Sequence, residues 1–304
     1  MKKIIIAFFF LSVTGYVYSS DGGSSATFLR MGGGAKGSSM GEAYSAVAES
    51  ADSIYYNPAS MVFAKSSLSF NHMAYIESTY YDTLYYSKKV NEKSAFGTGV
   101  QYFSYGSIDE TDPSGTKVGN YNPKDMALTF AYSLKINSKY SIFDNGGVGL
   151  SLKYINTKVK DSASAFAADI GFITPVMKEK FRAAFVVQNL GTKMKFDEEK
   201  EKLPLVFKTG FSYTPLKELL TSLDLVFPND SDFYFSVGSA YRKKFDSMNL
   251  VLRAGYNGIN KNVEGFSGFN FGLGIEFNKL SVDYAFMPYG DMGNGHRIGL
   301  SFAF

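Results

Sequence analysis

The sequence predicts an all-β protein, a 14-stranded antiparallel transmembrane β-barrel with an N-terminal helical hatch in its lumen. Apolar residues recur at every second position from about residue 66 onward, which is the period of a β-strand. About fourteen such segments of roughly 8 to 12 residues follow one another, the length that a tilted strand needs to cross a bilayer. The opposite faces carry small and charged residues, as a polar lumen requires.

The amino-acid composition excludes several other classes of protein. The 304 residues include 28 Phe, 22 Tyr and 30 Gly but no Cys, so disulfides, Cys-ligated metals and Cys nucleophiles are excluded. The mean hydropathy is −0.09. Outside the first twenty residues, no apolar run approaches the roughly 20 residues of a membrane-spanning helix. The formal charge of +3 gives a nucleic-acid partner no electrostatic support.

Residues 1–20 have the layout of a secretory signal peptide. Lys2 and Lys3 precede an apolar run over residues 4–11, and Ser19 and Ser20 supply the small residues of a cleavage site. An uncleaved membrane anchor is the alternative, but the run is short for a span and Gly and Ser follow it directly. The sequence therefore predicts export.

Residues 21–65 are rich in Gly, Ala and Ser, and we expect them to form a hatch ahead of a barrel over residues 66–304. Ser39 and Glu42 have the spacing of a helix capping box, and Asn57-Pro58 is expected to end the helix. A mobile periplasmic tail is the alternative to a hatch. The residues that follow the spacing of one helix face are Met40, Ala43, Tyr44, Val47, Ala51 and Ile54.

The predicted strands differ in clarity. The weakest is the tyrosine-rich stretch from Tyr80 to Tyr86. A soluble β-sandwich also alternates, but its strands are usually shorter and its apolar faces share one core. The clearest strand alternates Phe269, Phe271, Leu273, Ile275 and Phe277 with Asn270, Gly272, Gly274 and Glu276.

The connections between the predicted strands give an independent test. If the chain enters from the periplasm, odd-numbered connections face outside and are long, whereas even-numbered ones are tight turns. Tight turns are expected at residues 214–216 and at Asn278, whereas the fourth connection, residues 137–145, fits less well. The longer odd-numbered connections are the third at residues 106–125, the seventh at 190–204, the eleventh at 257–266 and the thirteenth at 288–295.

Nine charged residues share the inward faces of the predicted strands. Their signs alternate on strands that we expect to be near neighbours, which favours mutual pairing over contact with a substrate. They are Lys153, Asp169, Arg182, Lys208, Asp224, Arg253, Glu276, Asp283 and Arg297.

The last eight residues carry a more specific pattern. Arg297, Gly299, Phe302 and Phe304 follow a polar-x-Gly-x-x-apolar-x-aromatic order. This order is similar to the terminal strand by which the barrel-assembly machinery recognises outer-membrane barrels; an ordinary amphipathic strand is the alternative. Together with the signal peptide, it predicts the outer membrane of a Gram-negative-type bacterium, with outer-membrane lipid and the assembly machinery as partners.

The sequence offers little for an enzyme. Residues 32–37 satisfy G-x-G-x-x-G, but no strand precedes them and no βαβ unit surrounds them, so a dinucleotide site is not expected. His72 and His296 lie far apart in sequence, and the catalytic motifs H-E-x-x-H and G-x-S-x-G are absent. We therefore expect no catalytic residues, no cofactor and no metal.

Several stretches of the sequence carry motifs of a known family: residues 28–32, 37–48, 55–59, 187–191, 203–205 and 283–293, with His296-Arg297 following. Together they resemble the PorV/PorQ family of outer-membrane barrels, which are relatives of the FadL long-chain fatty-acid transporters. The resemblance implies a 14-stranded barrel whose N-terminal segment folds into the lumen as a hatch around Asn57-Pro58-Ala59. Ser60 departs from the family, which usually places Gly after Asn-Pro-Ala. The hatch residues that the resemblance singles out are Arg30, Gly32, Gly37, Met40, Gly41, Tyr44, Asn57 and Pro58.

The resemblance implies two roles, and fold-level kinship does not choose between them. The motifs favour a non-enzymatic accessory of type IX protein secretion that receives cargo at the outer membrane, with secreted cargo or a secretion translocon as partner. The alternative is FadL-like passive transport of hydrophobic molecules such as long-chain fatty acids. A third class, a passive scaffold, would have neither pocket nor partner.

Overall fold

The computed structural model describes residues 23–47, 49–136, 145–176, 180–196, 199–260 and 263–304. The predicted signal peptide, residues 1–20, lies outside the described residues, as does most of the predicted fourth connection. The strands are β1 (Ser67–Ala74), β2 (Tyr80–Asn91), β3 (Ser94–Ser104), β4 (Ile108–Thr111), β5 (Lys117–Tyr121), β6 (Lys124–Lys135), β7 (Gly147–Lys158), β8 (Ser162–Val176), β9 (Phe181–Gly191), β10 (Met194–Phe196), β11 (Glu199–Glu201), β12 (Val206–Leu216), β13 (Leu219–Pro228), β14 (Tyr234–Phe245), β15 (Met248–Asn257), β16 (Phe269–Phe277), β17 (Leu280–Pro288) and β18 (Asn294–Ala303).

Fourteen of these strands close into one antiparallel barrel, which confirms the predicted fold class and strand number. Each barrel strand pairs with the next one along the chain, and β1 pairs with β18 from Ser67 opposite Ala303 to Ala74 opposite His296. The remaining four strands form two small hairpins, β4–β5 and β10–β11, within the third and seventh connections. Closure satisfies the backbone groups that an open sheet would leave unpaired in lipid.

The two faces of the barrel differ as the alternation predicts. On β16, Phe269, Leu273 and Phe277 are about half exposed on the outside, whereas the intervening Asn270, Gly272 and Gly274 are buried on the inside. The exposed aromatic and aliphatic side chains form the surface that faces lipid. The inward positions hold small or polar residues, because another part of the chain fills the lumen.

The connections define the two ends of the barrel. The odd-numbered ones include the β4–β5 and β10–β11 hairpins, so we take this end as extracellular, and the end with two-residue turns as periplasmic. The turn expected at residues 214–216 is wrong: β12 continues to Leu216 through an irregularity after Tyr213, and the turn is Lys217-Glu218. Pro215 lies within this irregular part of β12, where proline is tolerated because the strand ladder is interrupted. The turn at Asn278 includes Lys279 as well.

Residues 23–47 and 49–65 follow a path through the inside of the barrel, and we call them the lumenal segment. It enters at the extracellular end, where the Ser25 N–H donates to the Lys202 carbonyl at 3.0 Å, and leaves at the periplasmic end to start β1. Its side chains, among them Tyr44, Ile54 and Tyr56, are buried with inward residues of the strands. The segment contains four short helical turns: Thr27–Arg30, Ala35–Ser39, Ser53–Tyr56 and Pro58–Val62.

The single helix predicted through Met40 and Ile54 is wrong. The chain leaves the Ala35–Ser39 helix at once, because Gly41 and Glu42 both have positive φ, of 65° and 66°. Ser39 therefore ends a helix rather than capping one, and its hydroxyl donates to the Lys36 carbonyl at 2.9 Å. The apolar residues are buried because the barrel wall surrounds this irregular segment on all sides. Their helical spacing therefore does not indicate one face of a helix. In the described ranges, every helix is too short to cross a bilayer.

Candidate functional site

A cavity of 380 Å³ opens at the extracellular end of the lumen. The connections that follow β1, β3, β15 and β17 surround it, and the lumenal segment forms its floor. Its walls are mainly aromatic or thioether side chains, with one cationic and one anionic residue. The principal lining residues are Phe28, Arg30, Met31, Glu42, Tyr75, Phe103, Tyr105, Met287 and Tyr289.

Aromatic rings hold the walls of this cavity in place. Tyr75 and Tyr289 meet edge to face with ring centres 5.2 Å apart, and Phe103 meets Tyr105 in the same way at 4.6 Å. The Tyr105 hydroxyl donates to Asp125 Oδ2 at 2.9 Å. Burial, together with the Asp125 carboxylate, raises the pKa of the Tyr105 hydroxyl, which therefore stays a neutral donor. The cavity can contact apolar groups on its ring faces and polar groups on its hydroxyls.

The glycine-rich stretch of the lumenal segment connects Met31 and Glu42, two residues that line the cavity. The Gly32 N–H donates to the Tyr55 hydroxyl at 3.0 Å, and the Gly33 N–H donates to the Tyr56 hydroxyl at 3.1 Å. The Tyr56 hydroxyl in turn donates to Glu42 Oε2 at 2.8 Å. A side chain at position 32 would overlap Glu42, and one at position 33 would overlap Tyr55. Glycine at both positions therefore allows the close packing in which these hydrogen bonds form.

The other hatch residues from the resemblance lie against particular strands. Met40 contacts β14 and β15 at Gly238 and Gly255, and Gly41 approaches the backbone of Tyr256. Gly37 lies against the Tyr56 ring.

Tyr44 and Asn57 make polar contacts with the barrel, and Arg30 binds a connection. The Tyr44 N–H donates to Asp224 Oδ2 at 3.3 Å. Asn57 Nδ2 donates to the Phe172 carbonyl of β8 at 3.2 Å, and its Oδ1 accepts from the Ala59 N–H beyond Pro58. At the extracellular rim, Arg30 Nη1 pairs with Asp230 Oδ1 at 2.7 Å. The segment is therefore anchored near its start, at its middle and near its end.

Two pairs of the predicted lumen charges lie in direct contact. Lys153 Nζ is 2.7 Å from Asp169 Oδ2, and Arg253 Nη1 is 2.8 Å from Asp283 Oδ1. The first pair sits at a bulge where β9 has one residue more than β8, and the Asn189 N–H there donates to Asp169 Oδ1 at 2.8 Å. Both pairs are buried in the barrel wall, where the two charges of each pair neutralise each other.

The other charged positions have different partners. Asp224 accepts three hydrogen bonds from Tyr44 and Ser45 of the lumenal segment, and Lys208 lies buried on the adjacent strand. The guanidinium of Arg182 lies 5.9 Å from the centre of the Phe63 ring. Glu276 pairs with Arg242 at 3.0 Å.

Arg297 binds the lumenal segment rather than a strand carboxylate. Its guanidinium donates to the Ser38 hydroxyl and to the Met31 carbonyl, both at 2.8 Å, and lies over the Tyr81 ring. The Ser38 hydroxyl donates to Glu42 Oε1 at 2.6 Å, so the Arg297 charge faces Glu42 through one hydroxyl. This contact joins the last barrel strand to the cavity floor.

Three charged residues of the lumen were not predicted from the sequence. Lys36 and Glu49 lie in the lumenal segment, and Arg242 is the first residue of an Arg-Lys-Lys run that ends near a turn. Arg242 bridges Glu49 at 3.2 Å and Glu276 at 3.0 Å. Gly238 and Ala240 face inward, and Arg242 is the next residue in the same alternation along β14. This alternation is the sequence signal that predicts Arg242 on the lumen face.

The two histidines lie on the outside of the barrel, on β1 and β18. His72 Nδ1 is 2.6 Å from Asp82 Oδ1, and His296 Nδ1 is 2.7 Å from the Tyr284 hydroxyl. Within the described ranges, no group of three or more His, Asp or Glu side chains is arranged to hold a metal ion.

The two aromatic residues of the C-terminal pattern lie on the lipid-facing side of the closing strand, whereas Arg297 and Gly299 face the lumen. Phe302 and Phe304 point outward, and the Phe304 ring stacks on Tyr86 of β2 with centres 5.7 Å apart. We propose that this end is the signal for barrel assembly. Replacing Phe304 by Ala is expected to lower the amount of folded barrel in the outer membrane severalfold, measured as heat-modifiable protein on gels. Phe277→Ala, at an equally exposed outward position, is the control, and an equal loss in both variants would contradict the proposal.

Comparisons with known proteins agree with the architecture. A family model described as type IX secretion system protein PorV matches residues 22–217. Among the solved structures, the Ralstonia pickettii toluene transporter TbuX superposes with a TM-score of 0.58 at 12% identity, covering 90% of this chain and 98% of that chain. The Pseudomonas putida toluene transporter TodX gives 0.56 at 11% identity, covering 90% and 99%. A Pseudomonas aeruginosa FadL homologue gives 0.54 at 11%, covering 89% and 98%. No curated protein matches the sequence.

Proposed function

This chain belongs to the PorV family of outer-membrane barrels, and from that premise we propose that it is a non-enzymatic accessory of protein export, of the type IX kind, that receives exported cargo at its extracellular cavity. The observation that carries the proposal is the aromatic cavity itself. It opens to the outside, and four different connections contribute residues to its wall, so it presents a preformed surface to a protein segment arriving at the cell exterior.

The filled lumen supports a receptor role over that of an open pore. We propose that the lumenal segment is the hatch of the barrel, since its residues are buried from Phe28 at the extracellular end to Val62 at the periplasmic end. The Pro58–Ala59 backbone lies directly against Gly149 of β7. A cargo segment bound in the cavity therefore remains on the extracellular side.

The cavity chemistry fits a short apolar peptide segment. Ring faces of Tyr75, Phe103 and Tyr289 offer apolar contact, and the tyrosine hydroxyls offer hydrogen bonds to a peptide backbone. Arg30 and Glu42 add one charge of each sign. Because the wall is aromatic rather than charged, binding would depend on apolar side chains more than on net charge.

Passive transport of hydrophobic small molecules is the second candidate, and the same aromatic and methionine lining favours it. Transport would require a continuous path, so the lumenal segment or one strand pair would have to move. The two roles are therefore distinguished by whether secretion or uptake falls when aromatic side chains of the cavity wall are removed.

A double variant, Tyr75→Ala/Tyr289→Ala, tests the proposal because it removes the edge-to-face pair at the cavity mouth. Secretion of exported proteins into the medium should fall by about tenfold, the effect of losing one or two hot-spot aromatics. Uptake of a radiolabelled long-chain fatty acid should stay unchanged. Both quantities are measured in the same deletion strain complemented with each variant.

The matched control is Phe233→Ala/Phe266→Ala, which removes two exposed aromatic residues from extracellular connections outside the cavity. It should leave secretion intact. A fall in uptake with normal secretion in the Tyr75/Tyr289 variant would contradict the export role and favour transport.

A further inference from the structure

The periplasmic end of the lumen contains a second, larger cavity of 580 Å³. The β14–β15 and β16–β17 turns surround its opening, and Lys36, Glu49 and Ser50 of the lumenal segment form its inner wall. Two smaller cavities of 220 and 110 Å³ lie at the same end, and the first of them shares Glu49 and Arg242 with the large one. We call these three cavities the periplasmic mouth. Its size lies within the range of ordinary ligand sites.

The lining of the periplasmic mouth is strongly basic. Ten Lys or Arg residues line it against four Asp or Glu residues, although the sequence as a whole holds 31 basic and 28 acidic residues. The basic residues are Lys36, Lys65, Lys135, Lys180, Arg182, Lys217, Arg242, Lys244, Arg253 and Lys279, and the acidic residues are Glu49, Glu218, Asp246 and Glu276.

Ion pairs within the barrel account for only part of this charge. Arg242 is neutralised by Glu49 and Glu276, and Arg253 by Asp283. Although burial alone would raise the pKa of Glu49, the nearby Arg242 and Lys36 lower it to about 2, so Glu49 is ionised at neutral pH and already paired.

Four of the lysines lie exposed at the mouth. In the part of the chain that the structure describes, no carboxylate oxygen lies within 4.0 Å of the ammonium groups of Lys65, Lys217, Lys244 and Lys279. All four are exposed. A cluster of unpaired like charges at one opening attracts anions and repels cations.

We propose that the periplasmic mouth is a docking site for an acidic, carboxylate-rich protein segment that enters from the periplasm. Lys65, Lys244 and Lys279 line the large cavity, and Lys217 lines the smaller one beside it. Lys244 has the strand parity of Arg242 and therefore lies on the lumen face of β14. The serine and asparagine side chains of the same lining supply hydrogen bonds for a peptide backbone. This site lies at the opposite end of the lumen from the extracellular cavity and does not depend on its function.

Binding of a fluorescein-labelled deca-glutamate peptide to the purified full-length mature barrel tests the proposal. The barrel is placed in phosphatidylcholine nanodiscs, and affinity is measured by fluorescence anisotropy. The triple variant Lys65→Glu/Lys244→Glu/Lys279→Glu should weaken binding by about tenfold or more, and wild-type binding should weaken with added salt. Heat-modifiable migration on gels verifies that each variant is folded.

The matched control is Lys193→Glu/Lys195→Glu/Lys200→Glu, which reverses three exposed charges in the extracellular β9–β12 connection. This variant has the same net charge and should bind the peptide like the wild type. Equal weakening in both triple variants, or no binding of the peptide to the wild type, would overturn the proposal. So would loss of peptide binding in phosphatidylglycerol nanodiscs, since lipid would then occupy the cations. The Tyr75→Ala/Tyr289→Ala variant should still bind the peptide, which separates this test from that of the export role.

Discussion

Asp283→Ala is expected to lower the free energy of unfolding of the barrel by about 3–5 kcal/mol, the cost of removing one partner from a buried ion pair. The Asp283 carboxylate is almost fully buried, and its Oδ1 accepts from Arg253 Nη1 at 2.8 Å. Its Oδ2 accepts from the Ser281 hydroxyl at 2.6 Å and lies 3.8 Å from Lys36 Nζ. Without it, two buried cations lose their nearest anion.

The loss should also loosen the lumenal segment, because Lys36 belongs to that segment whereas Arg253 and Asp283 belong to the barrel wall. Urea unfolding of the protein in detergent micelles, followed by tyrosine fluorescence, measures the change. Asp283→Asn keeps the shape and one acceptor oxygen, so it should fall between wild type and Ala. Asp109→Ala removes a carboxylate from the exposed pair with Lys117 and should change stability little. A variant Asp283→Ala as stable as wild type would contradict the expected role of this pair.

The position of Asp283 could be predicted from the sequence, but its partners could not. Strand parity alone places Asp283 on the inward face, as it does Arg253 and Asp169. The pair with Arg253 depends on the register of β15, β16 and β17, which bring residues thirty positions apart into contact across Gly274. Register follows from turn geometry and packing, and alternation does not determine it.

The lumenal segment was harder to predict than the barrel. Its helical spacing was real, but the barrel wall determines the path of the chain: Gly41 takes a positive φ where its Cα lies against the Tyr256 backbone. Glu42 looked like a helix cap and instead binds Ser38 and Tyr56. Local propensity is a weak guide where tertiary contacts surround a segment on every side.

Because the barrel wall determines the path of the lumenal segment, a side chain introduced at a glycine of the wall should displace that segment. Gly149→Val is expected to displace the Asn57–Ala59 turn from the lumen while the barrel remains closed. A Cβ atom at position 149 would overlap the backbone of Pro58 and Ala59, and backbone atoms in a turn held by Asn57 cannot move aside as a flexible side chain would. Overpacking of this kind costs about 1–3 kcal/mol, which is better relieved by release of the segment than by opening the sheet.

Two measurements detect this release: ion conductance of the purified protein in planar bilayers, and trypsin cleavage after Lys36, which is buried in the wild type. Both should increase in Gly149→Val, whereas heat-modifiable migration should persist because the strand pairs of β7 are unchanged. Leu150→Val is the matched control, since it introduces the same side chain at the neighbouring residue but on the lipid-facing side. If Gly149→Val has the conductance and the cleavage pattern of the wild type, the lumenal segment is not held by its close contact with β7, and the anchors at Arg297 and Asp224 would have to hold it alone.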